Sequence, residues 1–123
     1  MQNNKTSLEI FLSGFFDGRG CFNISKDGKG FKQFKVKVMD NSDNTLITIQ
    51  KMLLKLGVDT KRDHFHAIWI SNRESVKRFL RIIIPFLVFR KEEVKEFENE
   101  LYEYELSFIK KKEENKIPKK VVI

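Results

Sequence analysis

The run Leu12–Gly20, LSGFFDGRG, constrains this chain more than any other stretch. With Leu8 and Phe11 ahead of it, it places Leu12, Phe15 and Phe16 at three- and four-residue spacings, the period of a helix that buries one stripe. Thr6 and Glu9 stand in the pattern of a capping box, and the helix is expected to end near Gly18. Gly14 and Gly18 lie four apart with Ser13 beside them. Small residues so spaced let a second backbone approach closely, which makes Ser13, Gly14 and Gly18 the expected helix-packing interface. Glycines this near a helix end also serve simply to terminate it.

The remaining pattern alternates hairpins and helices. Cys21–Lys26 and Gln33–Met39 repeat with period two around Asp27-Gly-Lys-Gly30, which is hairpin chemistry. A helical pattern from about Asp43 to Leu56 closes at Gly57, and short strands are expected near Val58–Arg62 and Phe65–Ser71. A helix from about Arg73 to Ile84 is stopped by Pro85. A last one over about Lys91–Lys111 carries the stripe Val94, Phe97, Leu101, Tyr104 and Phe108. The fold class is therefore α+β, with four antiparallel strands, helices on one face and the other face left to solvent or a partner. At 123 residues there is room for one domain, 1–109, followed by a basic tail over 110–123.

Twenty-four Lys and Arg against 17 Asp and Glu give a formal net charge of +7, which favours a polyanionic partner, nucleic acid or an anionic membrane surface. The longest apolar run, Ile82–Phe89, is eight residues including Pro85, where a membrane span needs roughly 20. A soluble protein is expected. The lone Cys21 excludes an internal disulfide framework and points to a reducing compartment, and MQNNKTSLEIF has neither a secretory nor a transit pattern.

If Phe22, Ile24, Phe34, Val36 and Val38 face the core, the opposite face of the first hairpin carries Asn23, Ser25, Gln33, Lys35 and Lys37. Amides and hydroxyls suit base edges and lysines suit phosphates, although a solvated basic face has the same pattern. Lys61 and Arg62 add positive charge on the third strand. With Ile68 and Ile70 inward, Phe65, Ala67 and Trp69 turn outward, where aromatic rings stack on unpaired bases; a one-residue slip would bury Trp69 instead. His64 and His66 share a strand face at i and i+2 but lack further ligands for zinc, so no metal site is expected there.

LSGFFDGRG-CF closely resembles the signature of the LAGLIDADG homing endonucleases, often seen as LAGFIDGEGCF. The DGKG hairpin, the helix ending LKLGV, and the stretches IWISNRESV and RIIIPFLVFRK fall in the order and spacing of a single-motif member, covering roughly Leu8–Tyr104. The resemblance implies an αββαββα domain with a four-stranded antiparallel saddle sheet over nucleic acid. It also implies motif helices of two copies packed through small residues, and an acidic residue at each motif end holding divalent metal.

In this chain that acidic position is Arg19. Two-metal cleavage needs oxygen ligands for Mg²⁺; a guanidinium has only donors and stays charged, so it repels the ion. Asp17 does not substitute, because two residues along a helix is about 200° of rotation. The positions that support the chemistry in the family are matched by Asp40-Asn41, at the end of the second strand, and by Arg90. The resemblance thus yields no catalytic residue and no metal, and makes Arg19 and Arg90 candidates for phosphate.

The expected function is a non-cleaving nucleic-acid-binding protein on a degenerate LAGLIDADG scaffold. RNA is favoured over DNA, in an organellar ribonucleoprotein such as a ribosome or an intron complex. The alternatives are a homodimeric DNA homing endonuclease making Mg-dependent double-strand breaks, and a DNA-binding repressor. A homodimer or pairing with another protein of this type is expected, with no membrane partner. Family habit and the Lys, Asn, Ile and Phe bias of an AT-rich gene point to a mitochondrion or plastid, with organelle encoding.

Overall fold

The computed structural model describes residues 3–116, with side chains from Lys5 to Lys110. Helix α1 covers Asn3–Arg19, β1 Cys21–Lys26, β2 Lys32–Met39 and α2 Asp43–Lys55. They are followed by β3 Lys61–Arg62, β4 Ala67–Ile70, α3 Arg73–Ile83, a 3-10 turn over Ile84–Phe86, and α4 Lys91–Lys116. The strands form one antiparallel sheet in the order β1-β2-β4-β3. This is the α+β arrangement expected from sequence. Among the described residues no helix is long and apolar enough to cross a membrane. Helix α4 continues into the segment expected to be a basic tail, and Ile117–Ile123 lie outside the described residues.

Local chemistry accounts for the turns. In the first hairpin the Asp27 carboxylate accepts the N–H groups of Lys29 (2.8 Å) and Phe31 (3.0 Å), and Gly30 takes φ +87°. Ser42 caps α2 by accepting from Thr45 N–H, and Asn72 caps α3 by accepting from Glu74 and Ser75. Each cap satisfies backbone donors that the first turn of a helix leaves unpaired.

The core lies between the sheet and the helices. Phe34, Val36 and Val38 of β2 and Ile68 and Ile70 of β4 meet Leu12 and Phe16 of α1, Val76, Phe79 and Leu80 of α3, and Val94, Phe97 and Leu101 of α4. Phe16 and Phe79 pack edge to face with ring centroids 4.6 Å apart. Phe97 holds both Phe22 (5.6 Å) and Phe34 (5.7 Å), in the edge-to-face geometry aromatic rings prefer.

Three local expectations change. Helix α1 begins at Asn3, so Thr6 and Glu9 lie inside it instead of forming its cap, and it runs past Gly18 to Arg19. Neither Gly14 nor Gly18 terminates it. The second hairpin is shorter than its alternation predicts because Asp63 builds a turn, its carboxylate accepting from Phe65 (2.8 Å) and Ala67 (3.2 Å) while His66 takes φ +59°. His64, Phe65 and His66 are therefore turn residues, not a strand face. Ala67 is buried even though its strand partner Met39 is half-exposed.

Candidate nucleic-acid interface

The sheet face away from the core assembles from strand register. Cys21 pairs with Lys37, Lys37 with Trp69, and Trp69 with Lys61, so one line of outward residues crosses all four strands. Asn23 opposite Lys35 and Ser25 opposite Gln33 extend the same face over the first hairpin. All of these alternate with buried Phe34, Val36, Val38, Ile68 and Ile70, which sets their direction.

Trp69 sits at the middle of this face. The ammonium groups of Lys37 and Lys35 lie 5.0 and 5.6 Å from its ring centroid, and its Nε1–H donates to Asp63 Oδ2 at 2.7 Å. Cation–π attraction keeps the two lysines on the aromatic surface. The Trp69 hydrogen bond, the backbone donors of Phe65 and Ala67, and the charge of Lys37 together hold the Asp63 carboxyl below its ordinary range. Sequence reasoning missed Asp63; its only signal was an aspartate opening the break between the third and fourth strands.

Two expected members of this surface sit elsewhere. Arg62 pairs in register with core-facing Ile68, so it points to the helix side of the sheet, where it donates to Asp43 of α2 at 2.8 Å. That contact lowers the Asp43 carboxyl, which His66 also approaches at 3.7 Å. Phe65 is exposed at the tip of the Asp63 turn, outside the ladder.

The end of α1 brings a second group together. The Arg19 guanidinium donates to Asp40 Oδ2 and lies 5.1 Å from the Phe15 ring centroid, with 55% of its side chain still exposed. The other Asp40 oxygen accepts from Ser42 N–H at 2.8 Å, and Asn41 is exposed beside it. Asp17 faces away from this group, buried, with its carboxylate accepting from Val88 (2.9 Å), Phe89 (2.9 and 3.2 Å) and Arg90 (2.9 Å). Burial alone raises its pKa; the backbone donors of Phe89, Val88 and Arg90 and the Arg90 charge outweigh burial and bring it below the ordinary carboxylate value.

Arg90 is also committed within the chain. Its guanidinium donates to the Gly20 carbonyl and to Glu93 (3.0 and 2.5 Å), and lies 5.3 Å from the Phe22 ring. The Glu93 contact raises Arg90 and lowers Glu93.

These residues do not fit a divalent metal. Arg19 offsets the charge of Asp40 and, with Ser42 N–H, takes one hydrogen bond on each Asp40 oxygen, and Mg²⁺ prefers carboxylate and water oxygens with near-octahedral access and no cation beside them. Among the described residues no group of three or more His, Cys, Asp or Glu is placed to hold an ion.

The packing residues of α1 divide between two faces. Ser13 is fully buried inside the chain, its hydroxyl donating to the Glu9 carbonyl at 2.6 Å. Gly14 and Gly18 are exposed, and a Cβ at either would meet nothing within 4 Å. Ile10 and Phe11 are half-exposed on the same helix.

Comparison with solved structures gives the same fold. The homing endonuclease I-CvuI in complex with a DNA target aligns at TM-score 0.60 and 19% identity, over 75% of this chain and 64% of that one. The homing endonuclease I-TnaI aligns at 0.65 and 18%, over 79% and 72%. The archaeal intron-encoded homing endonuclease I-Vdi141I complexed with DNA aligns at 0.64 and 14%, over 76% and 66%. The chain thus spans a little under two thirds of the I-CvuI chain. No curated protein matches it by sequence. The family model described as a LAGLIDADG-like domain matches residues 8–83, most of the chain, from the α1 stripe through the last residue of α3. The motif helix, the two hairpins and the open sheet face all fall within that match, and the chain belongs to the LAGLIDADG-like family.

Proposed function

We propose that this protein binds nucleic acid on the open face of its sheet without cutting it, and that RNA is its ligand. The observation that carries this reading is the Arg19–Asp40 pair: where the family resemblance expects an acidic metal ligand, this chain has a cation that neutralises the adjacent carboxylate. The exposed edge of Arg19 is left to a phosphate oxygen, and Lys35, Lys37 and Lys61 supply further positive charge around Trp69. An indole on an open face suits unpaired bases, which RNA loops and bulges present. The exposed Gly14 and Gly18 with Ile10 and Phe11 support pairing through α1, with a second copy or another protein of this type. The setting we infer is a mitochondrial or plastid ribonucleoprotein, a ribosome or an intron complex, on the grounds of composition and family habit.

A DNA-directed reading, as an endonuclease or a repressor, draws on relatives crystallised with DNA. One experiment separates them. Purified protein is mixed with labelled structured RNA and duplex DNA, with and without Mg²⁺. The expected result is tighter binding to RNA and intact strands throughout. Specific double-strand breaks would overturn the non-cleaving reading, and tighter binding to duplex DNA would overturn the choice of RNA.

A further inference from the structure

Beyond the sheet face, the hairpin end of the sheet opens into a groove of about 740 Å³ between the β1–β2 hairpin, α3 and α4. One wall is aromatic. Phe31, 49% exposed, lies parallel to Phe108 with centroids 6.2 Å apart and planes 9° from parallel, and Phe108 meets Tyr104 edge on at 4.9 Å. The opposite side is cationic. Arg73 lies 5.4 Å over the Tyr104 ring and 3.9 Å from Glu105, with 43% of its side chain exposed, and Lys77 donates to the same Glu105 at 3.2 Å. The one carboxylate in the groove is therefore neutralised. The backbone N–H of Lys32 donates to the Tyr104 hydroxyl at 3.0 Å, which ties the hairpin to α4 and holds the groove in shape.

The groove is continuous with the open face. Lys32, Gln33 and Arg73 line it and also line a second cavity of about 380 Å³ that reaches Lys35 and Ser71 at the margin of that face. A strand leaving the sheet thus passes two cations, Lys32 and Arg73, before it reaches the aromatic wall. Phosphate at the cations and a base against Phe31 match the chemistry of the two parts. The volume is that of a small-molecule site, suited to single nucleotides and far too small for a base-paired helix.

We propose that this groove takes an unpaired nucleotide at the end of the nucleic acid held on the sheet, an inference that rests on the nucleic-acid-binding reading above. The preferred ligand is then an RNA with an unpaired loop for the sheet face and a single-stranded extension that reaches the groove.

The test compares an RNA hairpin with an unpaired loop and a blunt stem end with the same hairpin carrying a short single-stranded extension, by fluorescence anisotropy on the full chain. The extension is expected to tighten binding about tenfold. Phe31→Ala and Arg73→Gln are expected to abolish that gain and leave the affinity for the blunt-stemmed hairpin unchanged, whereas Lys37→Gln on the sheet face weakens both RNAs alike. Unfolding midpoints report whether each variant folds, and either groove variant suffices. Equal affinity of the wild type for the two RNAs overturns the groove proposal and leaves the face reading standing. A gain that survives both groove variants also overturns it. Failure of the wild type to bind either RNA or the matching DNAs overturns the face reading and the groove proposal together.

Discussion

Asp17 and Arg19 are two residues apart and do different things because a helix turns them to different surroundings. Asp17 meets the N–H groups of Val88, Phe89 and Arg90 just ahead of α4, where an anion complements unpaired donors at a helix start. Replacing it by asparagine removes the charge and sets an amide N–H₂ against donors. Asp17→Asn is expected to destabilise the fold by about 2 kcal/mol or more. Because the native carboxyl titrates below its unfolded value, its contribution is fully present above the ordinary carboxylate range and is lost as pH falls through the lowered native value. Urea unfolding from pH 7 downward checks this: the gap between wild type and Asp17→Asn should narrow with acid. A gap that stays constant would show that ionisation of Asp17 does not contribute.

At the scale of the element, α1 carries more apolar surface than its own chain covers. Leu12 and Phe16 are fully buried, while Ile10 and Phe11 stay half-exposed beside Gly14 and Gly18. A Cβ at Gly14 touches nothing in the single chain. Gly14→Ala should therefore stabilise the isolated chain by about 0.5–1 kcal/mol through helix propensity. The same methyl should hold two such helices apart. Thermal unfolding at low concentration should show the gain and sedimentation the loss of self-association, and a variant that associates as well as the wild type would count against pairing through this face.

The whole molecule carries a net charge of +7, yet not all of its cations are available to a ligand. Arg62 is paired with Asp43 on the helix side, and Arg90 is held by Gly20 and Glu93. Lys35, Lys37 and Lys61 stand on the open face. Each phosphate contact adds roughly 0.7–0.9 to the slope of log K against log salt. Lys37→Gln is expected to lower that slope by about one contact, whereas Arg62→Gln should leave it unchanged. Titrations across a range of salt concentrations measure both, and equal effects would show that charge acts without regard to face.

The sequence by itself determined the order of elements, the hairpin at Asp27–Gly30 and the inward phase of β2 and β4. Each depends on neighbours a few residues away or on a period of two or 3.6. It also identified the motif helix and the arginine at its end. Tertiary structure alone decided which side of the sheet Arg62 occupies, that Phe65 belongs to a turn, that Ser13 is buried while Gly14 is open, and which charges are already partnered. Arg19 finds Asp40 across 21 residues and Asp17 finds Val88 across 71. Periodicity records which residues share a face. Which charges meet, and how much of an apolar stripe stays uncovered, depends on distant segments that only the folded chain brings into contact.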